Sequence, residues 1–212
     1  MKDILIIGSG GVGKEVALLI EQINEYKPTW NLLGFLDDNK DLHNTVINGY
    51  KVLGNIDLLH EYKDINAICA IANYKVKKQI INKLRNNQIK FPNIIHPSIC
   101  LSKTTYIGEG VIIYPGVVMT SNIEVGDYVI LSPKCGIGHE SIIKDYVSLL
   151  WNVNVSGNVI IEEGCLLGSG STILQNKKIG RGSIVGAGAV VTKDIPDNSI
   201  AVGCPAKVIK NY

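Results

Sequence analysis

The sequence predicts an α/β unit of Rossmann-like βαβ type followed by a parallel β-helix, on three observations. A single apolar period of six runs through the C-terminal half of the chain. A glycine-rich turn joins an apolar strand to an amphipathic helix near the N-terminus. Glycine reaches 22 residues while aromatics are only 6%, which suits regular β structure with repeated tight turns better than a helix bundle.

The period is read first, because a repeat decides the fold. Stepping by six from Ile95 through Leu101, Ile107 and onward to Val191 meets seventeen residues, all Ile, Leu, Val or Met. With 46% of the chain apolar, chance placement gives such a series roughly once in a million trials. Glycine follows the period residue at Gly108, Gly126, Gly138, Gly168, Gly180 and Gly186. Two residues ahead of it stand small or β-branched residues such as Val111, Val117, Val129, Cys135, Ser141 and Val147. Three hexads then make one triangular coil, with branched apolar side chains filling the interior and glycines expected at the corners. Known folds with this repeat wind left-handed, against the usual crossover preference, so a left-handed parallel β-helix is expected over residues 93–212. A β-sandwich would show turn signals about every 8–12 residues without a fixed register. A coil of this length leaves a flat face exposed, and a homotrimer packed along it is expected.

Residues 1–92 read as a separate unit. Asp3 to Gly8 is a short apolar strand, Gly8-Ser9-Gly10-Gly11-Val12-Gly13 matches G-x-G-x-x-G, and Lys14 to Ile23 is an amphipathic helix. A second strand, Leu32 to Leu36, ends in Asp37-Asp38; a third, Ala67 to Ala72, ends at Asn73 and leads into a helix from about Lys75 to Asn86. Strand, glycine-rich turn, helix and a strand with acidic tip form a nucleotide-binding order. Glycines let the backbone approach a phosphate and aim the N–H groups of the helix start at it. Asp37 or Asp38 would accept from ribose hydroxyls or a nucleobase edge. The candidate substrate-binding set is therefore Gly8, Gly10, Gly11, Val12, Asp37, Asp38 and Asn73. The motif alone suggests NAD, but about 90 residues make half a dinucleotide fold, with room for a mononucleotide. A nucleotide-sugar fits that space better.

Composition narrows the remaining classes. A net charge of +2 argues against nucleic acid or an anionic membrane as partner. The apolar run after Met1 is too short for a membrane span or signal peptide. Five cysteines without a C-x-x-C pair point to reduced thiols, a cytoplasmic location and no metal site.

Of the four histidines, His139 stands apart because Glu140 follows it inside the repeat. One coil of eighteen residues stacks it between Ser121 and Gly157 at about 4.8 Å, and the bare glycine is expected to leave space for a reacting group. A neutral imidazole there takes a proton from an attacking amine or hydroxyl, and Glu140 holds its tautomer.

The chain closes with Val191-Thr192-Lys193-Asp194-Ile195-Pro196 and Gly203-Cys204-Pro205-Ala206-Lys207. That ending resembles the closing segment of hexapeptide acetyltransferases. With the glycine-rich turn, Phe35-Leu36-Asp37-Asp38 and His139-Glu140, the whole chain resembles the bacterial sugar acyltransferases of the sialic acid O-acetyltransferase and UDP-4-amino-sugar N-acetyltransferase type. The resemblance implies His139 as general base with Glu140 as its partner, and sugar-nucleotide contacts from Gly10, Gly11, Val12, Asp37 and Asp38. It implies acetyl-CoA as co-substrate in a groove between trimer subunits, near Ser148, Gly157, Ser169, Ala187, Gly188 and Pro205, with no metal and no acyl-enzyme. The chain departs from the family in Val12 and Ser148, where relatives often carry histidine, and in Trp151 and Asn152 at an outer corner. The expected reaction is acetylation of the 4-amino group of a nucleotide-linked 4-amino-4,6-dideoxy sugar, for O-antigen, capsule or glycan assembly. UDP, dTDP and GDP all stay open as the nucleotide. The alternatives are O-acetylation of a sialic-acid-type sugar by the same residues, an NAD-dependent oxidoreductase, and a non-catalytic trimeric scaffold.

Overall fold

The computed structural model describes residues 1–62, 64–84 and 89–212. They form two compact units, Met1–Pro97 and Ser98–Tyr212.

The first unit runs β1 (Lys2–Ile7), α1 (Gly11–Tyr26), β2 (Trp30–Leu36), β3 (Val46–Ile47), β4 (Tyr50–Gly54), β5 (Asn66–Cys69), α2 (Tyr74–Leu84) and β6 (Ile94–Ile95), with two short 3₁₀ turns between strands. The sheet order is β3-β4-β2-β1-β5. β2 and β5 flank β1 in parallel, β4 runs parallel to β2, and β3 turns back on β4 as a hairpin. Ile4, Leu5, Ile6 and Ile7 are completely buried, as a continuous apolar run must be in the middle of a parallel sheet covered on both faces. Helix α1 buries Val16, Ala17, Leu19, Ile20 and Ile23, the stripe that a period of 3.6 presents to one side. It begins at Gly11, three residues before the expected start, because the glycine turn itself winds into its first turn. The third strand stops at Cys69, short of the expected Ala72. Helix α2 is described to Leu84; the last residues of the expected helix, Arg85 and Asn86, lie outside the described residues.

The second unit is the coil. Up to Val191 its strands are two residues long, and partners lie eighteen apart in three parallel columns: Glu124 with Ile142 and Ile160, Ile130 with Ser148 and Leu166, Gly136 with Asn154 and Thr172. The period residues Ile113, Val125, Leu131, Ile143, Leu149, Ile161 and Leu167 are fully buried. The column two residues ahead holds mostly valines; the hydroxyls of Thr105 and Ser171 in it are buried without a hydrogen-bond partner, whereas other polar members donate to a carbonyl of the next coil. Ser141 Oγ donates to Ser156 O at 3.0 Å, Cys165 Sγ to Gly180 O at 3.0 Å, and Ser183 Oγ to Pro196 O at 2.6 Å. Burial pushes the Cys165 thiol up to about 12 and that of Cys135 up to about 11, so these cysteines are chemically quiet core residues.

Glycines do serve several corners, as expected, but not the glycines that directly follow the period residue. From Gly110 to Gly188 the left-handed residue is the third after the period residue, an unbroken column that includes Gly116 (φ 78), Asn122 (φ 56), Tyr128 (φ 57), Lys134 (φ 63), Glu140 (φ 60) and Gly188 (φ 66). The glycines immediately after the period residue serve stacking instead. A Cβ on Gly138 would stand 2.5 Å from the Gly157 nitrogen, and one on Gly108 would stand 2.2 Å from Asp127 Oδ1. Backbone of consecutive coils passes too closely there for any side chain. The coil ends where Ser199–Val202 continues one column and Lys207–Asn211 pairs antiparallel with it, closing the open edge. Among the described residues, no helix is long and apolar enough to cross a membrane.

Candidate active site

His139 and Glu140 form one corner of the coil, between the strands Gly136–Ile137 and Ile142–Ile143. The corner is tied to its neighbours on both sides: Glu140 N donates to Ser121 O at 3.0 Å, and Asn158 N donates to His139 O at 2.7 Å. His139 Nδ1 lies 3.2 Å from Glu140 Oε2, with the side chains 63% and 58% exposed. A ring that donates Nδ1–H to a carboxylate carries its lone pair on Nε2 when neutral. Gly157 does more than leave a gap. A Cβ there would stand 2.5 Å from His139 Nε2 and 2.6 Å from Cε1, so the imidazole itself lies over the glycine. Its backbone is the seat of the ring.

Beside this corner an open groove of about 320 Å³ runs over the face of the column Gly136–Asn154, lined by Val118, Thr120, Gly136, Gly138, Asn154 and Ser156. Gly138 and Ser156 are the chain neighbours of His139 and Gly157, so the groove ends at the imidazole corner.

The candidate CoA residues divide among four places. Ser169, Ala187 and Gly188 are exposed on the corner that leads into this same face, stacked with Trp151: Gly170 N donates to Trp151 O and Gly188 N to Ser169 O, both at 2.9 Å. Pro205 lies in the exposed turn between the last two strands, and Gly157 lies under His139. Ser148 is apart from all of these, buried on the strand Ser148–Leu149 between Ile130 and Leu166.

In the first unit, Gly8, Asp37 and Asp38 line a cavity of about 150 Å³ with apolar walls from Ile56, Ile71 and Val76 among others. Asp37 is a clamp between the glycine turn and the tip of β2. Its Oδ2 accepts from Ser9 N at 2.9 Å and Ser9 Oγ at 2.7 Å, and its Oδ1 from Asn39 N at 3.0 Å. Burial alone would raise this carboxyl, but the hydrogen bonds from Ser9 and Asn39, with the nearby His43, outweigh it and hold the pKa below the usual value. His43 Nε2 donates to the Asp37 carbonyl at 2.7 Å, and Asp38 Oδ1 accepts from Ile56 N at 3.2 Å. Asn73 caps α2, accepting from Val76 N at 3.1 Å. Gly10 and Gly11 lie at the start of α1, where an added Cβ would meet nothing within 4 Å, and the N-cap residue Gly10 brings no side-chain cap. Val12 follows in the first turn of the helix, away from the cavity lining. Gly13 packs the helix on the strand: its Cβ would stand 2.0 Å from Gly8 O. Ser9 and His43 were not singled out from the sequence. Ser9 had a signal in its place within the glycine turn, whereas His43 had none.

A glycine-turn βαβ unit joined to a hexapeptide coil with a His–Glu corner defines the class of hexapeptide-repeat transferases. Residues 3–84 match the PglD N-terminal domain, residues 104–139 the bacterial transferase hexapeptide, and residues 158–193 the hexapeptide repeat of succinyl-transferase. The chain belongs to the bacterial sugar acyltransferases with a PglD-type N-terminal domain, and its coil is their left-handed parallel β-helix. The acetyltransferase domain of PglB from Neisseria gonorrhoeae FA1090 is 30% identical, with a TM-score of 0.89 over 99% of this chain and 100% of that one. A variant of perosamine N-acetyltransferase from Caulobacter crescentus, in complex with CoA and GDP-perosamine, is 26% identical with a TM-score of 0.89 over 100% and 98%. UDP-N-acetylbacillosamine N-acetyltransferase of Bacillus subtilis (strain 168) is 32% identical over 114 residues, 53% of this chain and 51% of that protein. The match thus spans about half the length of this curated relative.

Proposed function

We propose that the chain is an acetyl-CoA-dependent N-acetyltransferase acting on the 4-amino group of a nucleotide-linked 4-amino-4,6-dideoxy sugar. The observation that carries this reading is the His139–Glu140 pair, 3.2 Å apart, exposed on a coil corner at the end of a groove. Relatives that acetylate bacillosamine and perosamine nucleotides supply the acceptor class.

The first unit holds the nucleotide. The glycine N-terminus of α1 at Gly10 and Gly11 suits its phosphates, and the cavity edged by Asp37 and Asp38 suits the base or ribose. In the coil, the neutral amine attacks the thioester carbonyl carbon. The new C–N bond forms, His139 Nε2 accepts the amine proton, and Glu140 stabilises the imidazolium. The tetrahedral intermediate then expels the CoA thiolate as the C–S bond breaks, and the proton passes to that sulfur. No protein nucleophile is needed.

The chain acts as a cytoplasmic homotrimer with active sites between subunits. What supports this is the spacing of its own parts: the corner of Ser169 and Ala187 and the corner of His139 bound opposite edges of one face. They are separated by an extended strand on the order of 15 Å long. A second copy packed on this face would set its own CoA corner against the His139 of the first.

The test is thiol release from acetyl-CoA against a panel of 4-amino-sugar nucleotides and free sialic acid. One amino-sugar nucleotide is expected to drive release, and His139→Ala to slow it by about 10²–10⁴-fold. Release with sialic acid alone would move the reaction to O-acetylation. Turnover undiminished in His139→Ala would remove the assigned base.

A further inference from the structure

The glycines of the coil account for themselves, with one exception. Gly110, Gly116, Gly164, Gly170, Gly182, Gly188 and Gly203 have positive φ. Gly108, Gly126, Gly138, Gly168, Gly180 and Gly186 would put a Cβ within 3.0 Å of the next coil, and Gly157 would put one into the His139 ring. Gly136 has neither reason. Its φ is not in the left-handed region, and an added Cβ would approach nothing nearer than Asn154 Oδ1 at 3.5 Å, an ordinary contact. It is also the single glycine among the residues that immediately precede the period residues, from Ile94 to Val190, the outward-facing positions of the strands. A glycine weakens a strand and offers nothing to pack, so the fold itself would be served better by a side chain.

What the missing side chain creates is a hollow. Val118 and Asn154 are the column neighbours of Gly136, one coil before and one after, and Val118 is 62% exposed. Between them the groove floor drops to backbone, beside the corner that carries His139. One wall is apolar and the other is a carboxamide. Asn154 Nδ2 donates to Asn152 O at 3.1 Å, and an amide nitrogen has a second hydrogen to give. The Thr120 hydroxyl faces the Ile137 carbonyl at 3.4 Å. A short alkyl tail with one carbonyl matches this lining, whereas a pyranose would bring several hydroxyls in need of partners.

We propose that Gly136 is a specificity-determining residue: the hollow above it receives the acyl group of the thioester and limits its length. This rests on the acyl-CoA reading of the coil. Gly136→Ala and Gly136→Val are the variants, because the free space at Cβ lets both fold. Each is compared with the native protein in thermal-shift titrations with CoA and with acetyl-, propionyl- and butyryl-CoA, and in thiol release with the accepted sugar nucleotide. Gly136→Val is expected to keep its melting temperature and its response to CoA. Its response to acetyl-CoA and its turnover are expected to fall at least about tenfold, with the longer acyl groups lost first in Gly136→Ala.

Native acetyl transfer by Gly136→Val would overturn the proposal. So would a raised KM for the sugar with unchanged acyl selectivity, which would put the acceptor in the hollow. Failure of the native protein to respond to any acyl-CoA would remove the parent reading as well, whereas normal native turnover with indifferent Gly136 variants sinks this inference alone.

Discussion

Glu140 has two demands on it that pull in opposite directions. Its carboxylate holds the His139 ring at 3.2 Å, and its backbone sits at φ 60, a conformation that suits Asn or Gly. A long side chain in that region costs about 1–2 kcal/mol, and such strain is retained where a site needs it. Asn occupies the same corner position at Asn122, Asn152, Asn158 and Asn176 without strain of this kind. Glu140→Asn is therefore expected to stabilise the protein by about 0.5–1 kcal/mol in chemical denaturation while lowering kcat. A variant that loses both stability and activity would mean that the carboxylate serves the fold rather than the imidazole. His139 and Glu140 were legible in the sequence because they are adjacent and break an otherwise bland corner. The seat under the ring was legible only as a stacking position eighteen residues away. That the His139 ring folds over Gly157 was not legible, because spacing places a backbone and says nothing of where a neighbouring side chain folds down.

At the scale of elements, the turn between β1 and α1 is held to the tip of β2 by Asp37, through three hydrogen bonds from Ser9 and Asn39. These bonds favour the ionised carboxylate, and the folded-state pKa lies below the ordinary value of 3.8. A depressed carboxyl stabilises the fold above its unfolded pKa, and that contribution is lost as pH falls through the folded one. Asp37→Asn is thus expected to lower the melting temperature at pH 7, with the gap to the native protein closing below about pH 4. A gap that persists unchanged at pH 3 would show that charge has no part in it. The strands, the first helix and the glycine turn were all readable, since an apolar run, a 3.6-residue stripe and a G-x-G-x-x-G spacing are local signals. The clamp was not, because it joins residues twenty-eight apart. The corner column escaped for a similar reason. Tyr128 and Lys134 have no local preference for positive φ, and the stacked backbone imposes it, as where Tyr128 N donates to Glu109 O at 2.8 Å.

For the whole molecule, the placing of the proposed base and the proposed CoA corner on opposite edges of one face leads to an assembly prediction. Light scattering coupled to size exclusion should give three times the chain mass of 23.0 kDa. A monomer that still turns over acetyl-CoA would end the idea of sites between subunits. The eighteen-residue register, met so far as hydrogen-bonded strands, also governs how such a chain can change. Duplicating or deleting one full turn keeps every buried valine inside and every close-stacked glycine in line, and alters the molecule's length by about 4.8 Å. An insertion of one residue throws the following turns out of phase, swinging buried valines outward and bringing side chains against backbone. The coil is thus a measuring rod with fixed graduations, and a lineage can adjust the distance between the imidazole and the far end of its co-substrate only in whole steps.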